Sequence, residues 1–572
     1  LTETPNTKSL ILDKKRGFNM KIDIRYNGIK HSILEFEDTL SIKDAINGLG
    51  FDRSSILSYK INHTDYVNEE YLLKHNTLVN CITYQHPEGM RIYQDSAIFL
   101  LAKALYSIFG NAHTLFVEHA VGDGIFCEVF QTQKLTEQDC ARIKQEMKNI
   151  VENDIPIDRI EVKTDEALDI FSSMGRKDLI NNFQYSYRPM VAIYRCGKYY
   201  NYFIRPLADR TGMIEEFDLL YEAPGLLLRL PTGKDCKIKH PFTLPKKIFS
   251  LHQEHDKWLD ILKVHNIIDI NKLVDEYEIS QFILVEEALH EKKTAEIASS
   301  ILKNDQIKLI LIAGPSSSGK TTFAKRLSVQ LQASKARPIV IGMDDYFVDR
   351  SKTPRKENGD YDFESIYSLD LDFLNQQLSQ LLQGEEIELP HYDFTRGIRK
   401  KSTHKIKLKP EDIIVMEGIH GLNETLTASI PAEKKTKIYV SALNQLNIDH
   451  HNRIPTTDCR LLRRIVRDHQ YRGYSAEETL LRWSDVREGE EKNIFPYQEN
   501  ADYMFNSSLT YELGILKKHV WKLLNAIPKV SSAYTEAKRL RALLAHVKDI
   551  PDTLPPYNSI IREFTNGSIF RY

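Results

Sequence analysis

Residues 306–327, QIKLILIAGPSSSGKTTFAKRL, constrain this chain more than any other stretch. Leu309, Ile310, Leu311 and Ile312 make a short apolar run, which predicts a buried strand. Residues 314–321 complete the pattern G-x-x-x-x-G-K-[ST]. Phe323, Leu327 and Leu331 then recur every four residues, as on the apolar face of a helix. Strand, glycine loop and helix come in the order a phosphate cradle needs. Loop N–H groups and the helix N-terminus face anionic oxygens, Lys320 neutralises the β- and γ-phosphates, and the Thr321 hydroxyl is placed to ligate Mg²⁺. The chain is expected to bind a nucleoside triphosphate.

Further apolar runs continue the same design. Ile339, Val340 and Ile341 lead to Asp344 and Asp345; Ile413, Ile414, Val415 and Met416 lead to Glu417. With KIYV at 437–440 and DYMFN at 502–506, four or five buried runs separated by helices predict a doubly wound parallel sheet. Ligands sit beyond the carboxyl ends of such strands, so these acids are expected to face the phosphates. Residues 458–472 carry Arg460, Arg463, Arg464, Arg467 and Arg472, of which Arg460, Arg464 and Arg467 share a helical face. They read either as a guanidinium clamp on phosphoryl oxygens or as a salt-bridged surface helix with Asp468 as a partner. No Asn-Lys-x-Asp guanine motif is present, since NKLV at 271–274 ends in Val274, which argues against a GTPase.

Length and composition bound the rest. The 572 residues leave room for three to five domains, and 42% hydrophobic with 27% charged residues is ordinary for a globular protein. A net charge of −2 advertises no global nucleic-acid field. Cys81, Cys127, Cys140, Cys196, Cys236 and Cys459 are dispersed without metal-ligand spacing, which points to a reducing compartment. The longest apolar stretch, residues 97–109, is too short to cross a bilayer and carries Lys103; it reads as a core helix. Residues 1–19 have no signal-peptide core, so a cytoplasmic protein without a membrane partner is expected.

Toward the N-terminus, two short strands flank Asn27-Gly28, a strong hairpin turn. Ser41 and Asp44 mark a capped helix start, and NTLVNCITY reads as a closing strand. This stretch resembles a TGS domain, the β-grasp module at the front of threonyl-tRNA synthetase. Residues 94–129 and 134–157 resemble the second additional, editing domain of threonyl- and alanyl-tRNA synthetases. The metal-binding H-x-x-x-H and C-x-x-x-H pairs of that domain fall here on Asp95 and Phe99, and on Phe203 and Leu207. Phenylalanine neither binds metal nor shuttles protons, so editing chemistry is expected to be absent, leaving a structural, regulatory or RNA-binding role. His113, His119 and Asp123 lie close in sequence, but three polar residues around a turn read as surface or hydrogen-bonded core rather than a metal site.

GPSSSGKTT, MDDYF, YDF, LPHYDF, MEG and CRLLRRIVRDHQYRG together resemble the uridine kinase and phosphoribulokinase family of P-loop kinases. The resemblance implies ATP and Mg²⁺ as cofactors, with Gly314, Ser316, Ser317, Ser318, Gly319, Lys320, Thr321, Thr322 and Arg472 on the triphosphate. It implies Thr321 and Glu417 at the metal. Asp344, with Asp345 as the alternative, matches the base for a substrate 5′-hydroxyl, and Lys320, Arg464 and Arg467 serve the transferring phosphoryl group. Asp362, Tyr392, Phe394 and Arg464 match the acceptor site. The sequence departs from pyrimidine nucleoside kinases where a base-reading histidine is replaced by Gly397, and where a lid arginine and glutamine appear as Tyr474 and Arg482.

The expected organisation is therefore multidomain α/β: a TGS-like β-grasp domain (18–86), a synthetase-editing-like α+β domain (90–240), a helical connector (241–304), a P-loop kinase domain (305–510) and a C-terminal helical extension (511–572). The expected activity is nucleoside 5′-phosphorylation, with the base left open. RNA-directed or sugar-phosphate kinases, and an RNA-binding nucleotide sensor, are the alternatives. Contact with tRNA through the N-terminal domains and homo-oligomerisation stay open.

Overall fold

The computed structural model describes residues 20–571 apart from 37–39, 50–52, 63–64, 75–76, 132–133, 185–188, 234, 358 and 394–395. The kinase-side sheet runs in the order Arg337–Gly342, Asp412–Glu417, Leu309–Ala313, Lys435–Ser441, Tyr503–Asn506, with every pairing parallel. Side chains alternate between faces, as a strand's period of two requires. Ile310, Ile312, Val415 and Ile438 pack with the helices Lys320–Ala333 and Ile279–Leu302. Leu309, Leu311, Ile414 and Met416 pack with Leu371–Leu382 on the other face. Because both faces are covered, Leu309–Ala313 is buried and apolar throughout, as are residues 413–416 of its neighbour. One expectation is corrected here: the run at 339–341 is not fully buried, and Val340 is 57% exposed. Its strand is the sheet's edge, with a single neighbour to shield it.

The N-terminal half holds three further sheets. The first has five strands, with Met20–Tyr26 parallel to Thr77–Thr83 and the hairpin turn at Asn27-Gly28 outside it. The helix Ile42–Leu49 buries Ile42, Ala45 and Ile46 against Ile22 and Ile24. The Ser41 hydroxyl accepts the Asp44 N–H at its start, as the capping pattern predicts. Residues 97–109 lie in the helix Pro87–Phe109, packed with Glu137–Glu152 on a four-stranded antiparallel sheet. A three-stranded antiparallel sheet beside it carries the helices Thr164–Ser173 and Lys177–Gln184.

The halves are joined through residues 444–453. The Val117 N–H donates to His450 O at 2.9 Å, and the Asn447 amide donates to Val117 O at 2.7 Å. Helix Ile279–Leu302 braces the helix of the glycine loop: Arg326, only 2% exposed, pairs with Glu291 at 2.9 Å and Glu287 at 3.4 Å. Such buried pairs fix one register between helices, because a slipped helix would strand a charge away from water.

Candidate active site

The cradle is built at the end of the central strand. A side chain at Gly314 would meet Val440 O at 1.9 Å, so only glycine lets the chain leave the sheet there. Ser317 (φ 58°) and Gly319 (φ 81°) take left-handed conformations that curl the loop into the helix Lys320–Ala333. The Ser317 and Ser318 hydroxyls are buried without a protein partner among the described residues. Orphaned donors beside a helix N-terminus and a lysine are the chemistry of an anion site. Lys320 Nζ donates to Pro315 O at 3.1 Å. Burial lowers its pKa, while Glu417 and Glu563 pull it back up.

Thr321 and Glu417 meet, the hydroxyl donating to the carboxylate at 2.7 Å. Burial raises the Glu417 pKa, opposed by Lys320 and by the Thr321 hydrogen bond. A half-buried carboxylate and a hydroxyl beside the cradle are oxygen ligands of the type Mg²⁺ takes.

The two adjacent acids diverge. Asp345 accepts the Tyr392 N–H at 3.1 Å and faces His391 Nδ1 at 3.2 Å, so it holds the hairpin strand Glu386–Asp393. Asp344 opens to solvent on one side while protein crowds the rest. That crowding raises its pKa; Lys320 and Arg472 pull it down and Asp345 pushes it up.

The five arginines separate into two roles. Arg460 and Arg463, 1% and 0% exposed, are braces. Arg460 pairs with Glu490 and donates to Ser316 O at 2.9 Å; Arg463 pairs with Glu512 and donates to Ser507 O at 2.8 Å. Arg464, Arg467 and Arg472 gather on Asp468, at 3.1, 3.0 and 3.6 Å. Arg464 also donates to the Ser316 hydroxyl at 2.7 Å, and Arg472 remains half exposed. Asp468 is thus the ion-pair partner of three of the five arginines, as the salt-bridged reading expects.

On the acceptor side, Tyr392 is buried, with Phe347 5.5 Å from its ring. Asp362 lies near His420, whose pKa burial lowers to about 4 while Asp362 raises it. Phe394 lies outside the described residues. Gly397 has φ 70°, and a side chain there would strike Arg350 at 2.8 Å, so this loop has no room for a histidine. Tyr474 and Arg482 stack on each other at 4.4 Å.

Three carboxylates escaped sequence reasoning. Glu490 accepts the Ser316 N–H at 2.9 Å. Glu364, its pKa raised by burial, sits among Glu490, Arg464 and Lys320. Glu563 accepts the Thr322 N–H at 3.1 Å. Each looks like an ordinary surface acid in its local sequence, and no spacing signals it.

Phe99 and Phe203 rings are 6.2 Å apart, Arg205 donates to Asp95 at 2.6 Å, and Leu207 is buried. His119 stacks on His252 at 3.7 Å, and Asp123 accepts from Arg229 at 2.9 Å.

Residues 309–513 match the family model described as "Phosphoribulokinase / Uridine kinase family". A uridine kinase of Ureaplasma parvum serovar 3 is 30% identical over 195 residues, covering 34% of this chain and 85% of that protein. One from Halobacterium salinarum is 33% identical over 195 residues, covering 33% of this chain and 76% of that protein. The solved "Structure of a Possible Uridine Kinase from Bacillus stearothermophilus" is 22% identical and covers 38% of this chain and 98% of that chain, at a TM-score of 0.25. No described helix is long and apolar enough to cross a membrane.

Proposed function

The chain belongs to the phosphoribulokinase and uridine kinase family, phosphotransferases with an alcohol acceptor, and we propose that it phosphorylates the 5′-hydroxyl of a nucleoside with ATP. One observation carries the reading. Asp344 sits at a strand end within the field of Lys320, while its neighbour Asp345 is committed to the hairpin. In this reading Asp344 accepts the hydroxyl proton as the sugar oxygen bonds the γ-phosphorus and the bridging bond to the β-phosphate breaks. Lys320, Arg464 and Arg467 neutralise charge on the transferring group, which dominates a loose transition state. Gly314, Ser316, Ser317, Ser318, Gly319, Thr322 and Arg472 hold the triphosphate. Thr321 and Glu417 would hold Mg²⁺, which would supply positive charge to offset that of the phosphates.

In this reading Asp362 holds the ribose and Tyr392 walls the acceptor site; Phe394, assigned there by the resemblance, lies outside the described residues. The crowded Gly397 and the stacked Tyr474 and Arg482 leave the usual pyrimidine readers unreplaced, so the accepted base need not be uracil. We read residues 18–86 as a TGS-type unit and 90–240 as an editing-type scaffold without its chemistry. The Asp95–Arg205 ion pair and the Phe99–Phe203 contact support that loss, since they fill the positions metal ligands would take.

The test is transfer of labelled γ-phosphate from ATP to a panel of nucleosides, sugar phosphates and tRNA, with Asp344→Asn as control. A labelled nucleoside 5′-monophosphate supports the reading. A labelled sugar bisphosphate or tRNA replaces it with one of the other kinases, and tRNA binding with no labelled acceptor makes the chain a nucleotide sensor.

A further inference from the structure

An anion from the protein itself already stands on the cradle. Glu563 lies in the short helix Arg562–Thr565, 241 residues along the chain from Thr322. One of its carboxylate oxygens accepts both the Thr322 N–H at 3.1 Å and the Thr322 hydroxyl at 2.7 Å. Thr322 is the third residue of the helix Lys320–Ala333, so its N–H lies at the positive end of the helix dipole. Lys320 and Glu417 both feel the Glu563 charge, which places it inside the same electrostatic site.

The segment that carries Glu563 is held firmly. Ser559, Ile560, Ile561 and Phe564 are all 0% exposed. Ile560 packs so closely on the glycine loop that a side chain at Gly319 would meet it at 2.6 Å. Phe564 lies under the Arg463 guanidinium at 5.1 Å, and the Tyr511 hydroxyl contacts the Ser559 hydroxyl at 3.2 Å. The backbone is therefore fixed by core packing, and the Glu563 side chain is the part able to move.

A phosphate and a carboxylate cannot both take the same N–H and O–H, and like charges a few ångströms apart repel. We propose that Glu563 is a built-in competitor for the phosphate site, and that triphosphate binding requires its carboxylate to swing away from Thr322. This inference rests on the reading of residues 314–322 as the nucleotide's cradle. Its consequence is quantitative: the apparent affinity falls by the fraction of molecules in which Thr322 is free.

The experiment is calorimetric titration of the full chain with a non-hydrolysable ATP analogue and Mg²⁺, and separately with inorganic tripolyphosphate and with adenosine. Parent, Glu563→Gln, Glu563→Asp and Lys320→Ala are compared, with melting temperature as the folding control. Glu563→Gln is expected to bind the analogue and tripolyphosphate about tenfold more tightly, the scale of losing one charged hydrogen-bonded competitor, with adenosine unchanged. Glu563→Asp, whose reach is one methylene shorter, shifts in the same direction by less, and decides the matter alone if the glutamine variant does not fold. If phosphate affinity is unchanged or weaker in these variants while Lys320→Ala abolishes binding, the competitor is overturned and the nucleotide reading stands. If the well-folded parent and variants bind neither polyphosphate nor analogue, the nucleotide reading fails and takes the competitor with it.

Discussion

The Asp345 carboxylate accepts the backbone N–H of Tyr392 at 3.1 Å, tying the end of one strand to a hairpin that lies 47 residues further on. That bond separates two acids that are equivalent in sequence. The second is tied to the hairpin, while the first stays exposed to solvent.

Asp344→Asn is expected to lower kcat by roughly 10²–10⁴-fold while leaving ATP-analogue binding nearly intact, because it removes proton transfer and little else. Asp345→Ala instead removes the carboxylate that ties down the Tyr392 N–H, at about 1–3 kcal/mol, and loosens the hairpin strand. Its signature is a lower melting temperature and a raised acceptor KM. Steady-state kinetics of both variants beside thermal melts separate the two roles.

The pH dependence follows from Asp344 as base. Crowding raises its pKa above the usual aspartate range, and the base works only when ionised, so kcat/KM should rise with pH through that raised value. Arg472 favours the ionised form, so Arg472→Ala should move this acid limb to higher pH. The shift should be small at high salt, since Arg472 is half exposed. Profiles at two ionic strengths check both statements.

Neighbouring arginines should fail in opposite ways. Arg460→Ala leaves the buried Glu490 with Arg487, at 3.2 Å, as its remaining ion-pair partner and should cost about 1–3 kcal/mol of stability. Arg467→Ala leaves Asp468 with Arg464 and Arg472, and should keep the melting temperature near that of the parent and lower kcat. Denaturant melts and turnover on the same preparations make the comparison.

Restoring the missing histidine should not restore pyrimidine selectivity. Gly397→His forces a side chain into a left-handed residue and against Arg350, so about 1–2 kcal/mol of stability should be lost. No preference for uridine over a purine nucleoside should appear, as measured by kcat/KM for each.

What was legible in the chain is what is encoded locally. The strand, glycine loop and helix at 306–327, the hairpin turn at Asn27-Gly28 and the Ser41 cap each depend on residues within a few positions of one another. Spacing therefore announces them. The motif acids and arginines could be found as well, since the resemblance runs through short contiguous segments.

The sequence by itself determined a phosphate cradle, a parallel sheet behind it and a set of candidate acids and guanidinium groups. Only the tertiary structure decided that Asp345 is tied to Tyr392, that Arg460 and Arg463 are buried against Glu490 and Glu512, and that Glu490 and Glu563 meet Ser316 and Thr322. Those two bonds close 174 and 241 residues of chain. A carboxylate's role is set by which donors it meets after folding, and nothing in its neighbours along the chain records that meeting.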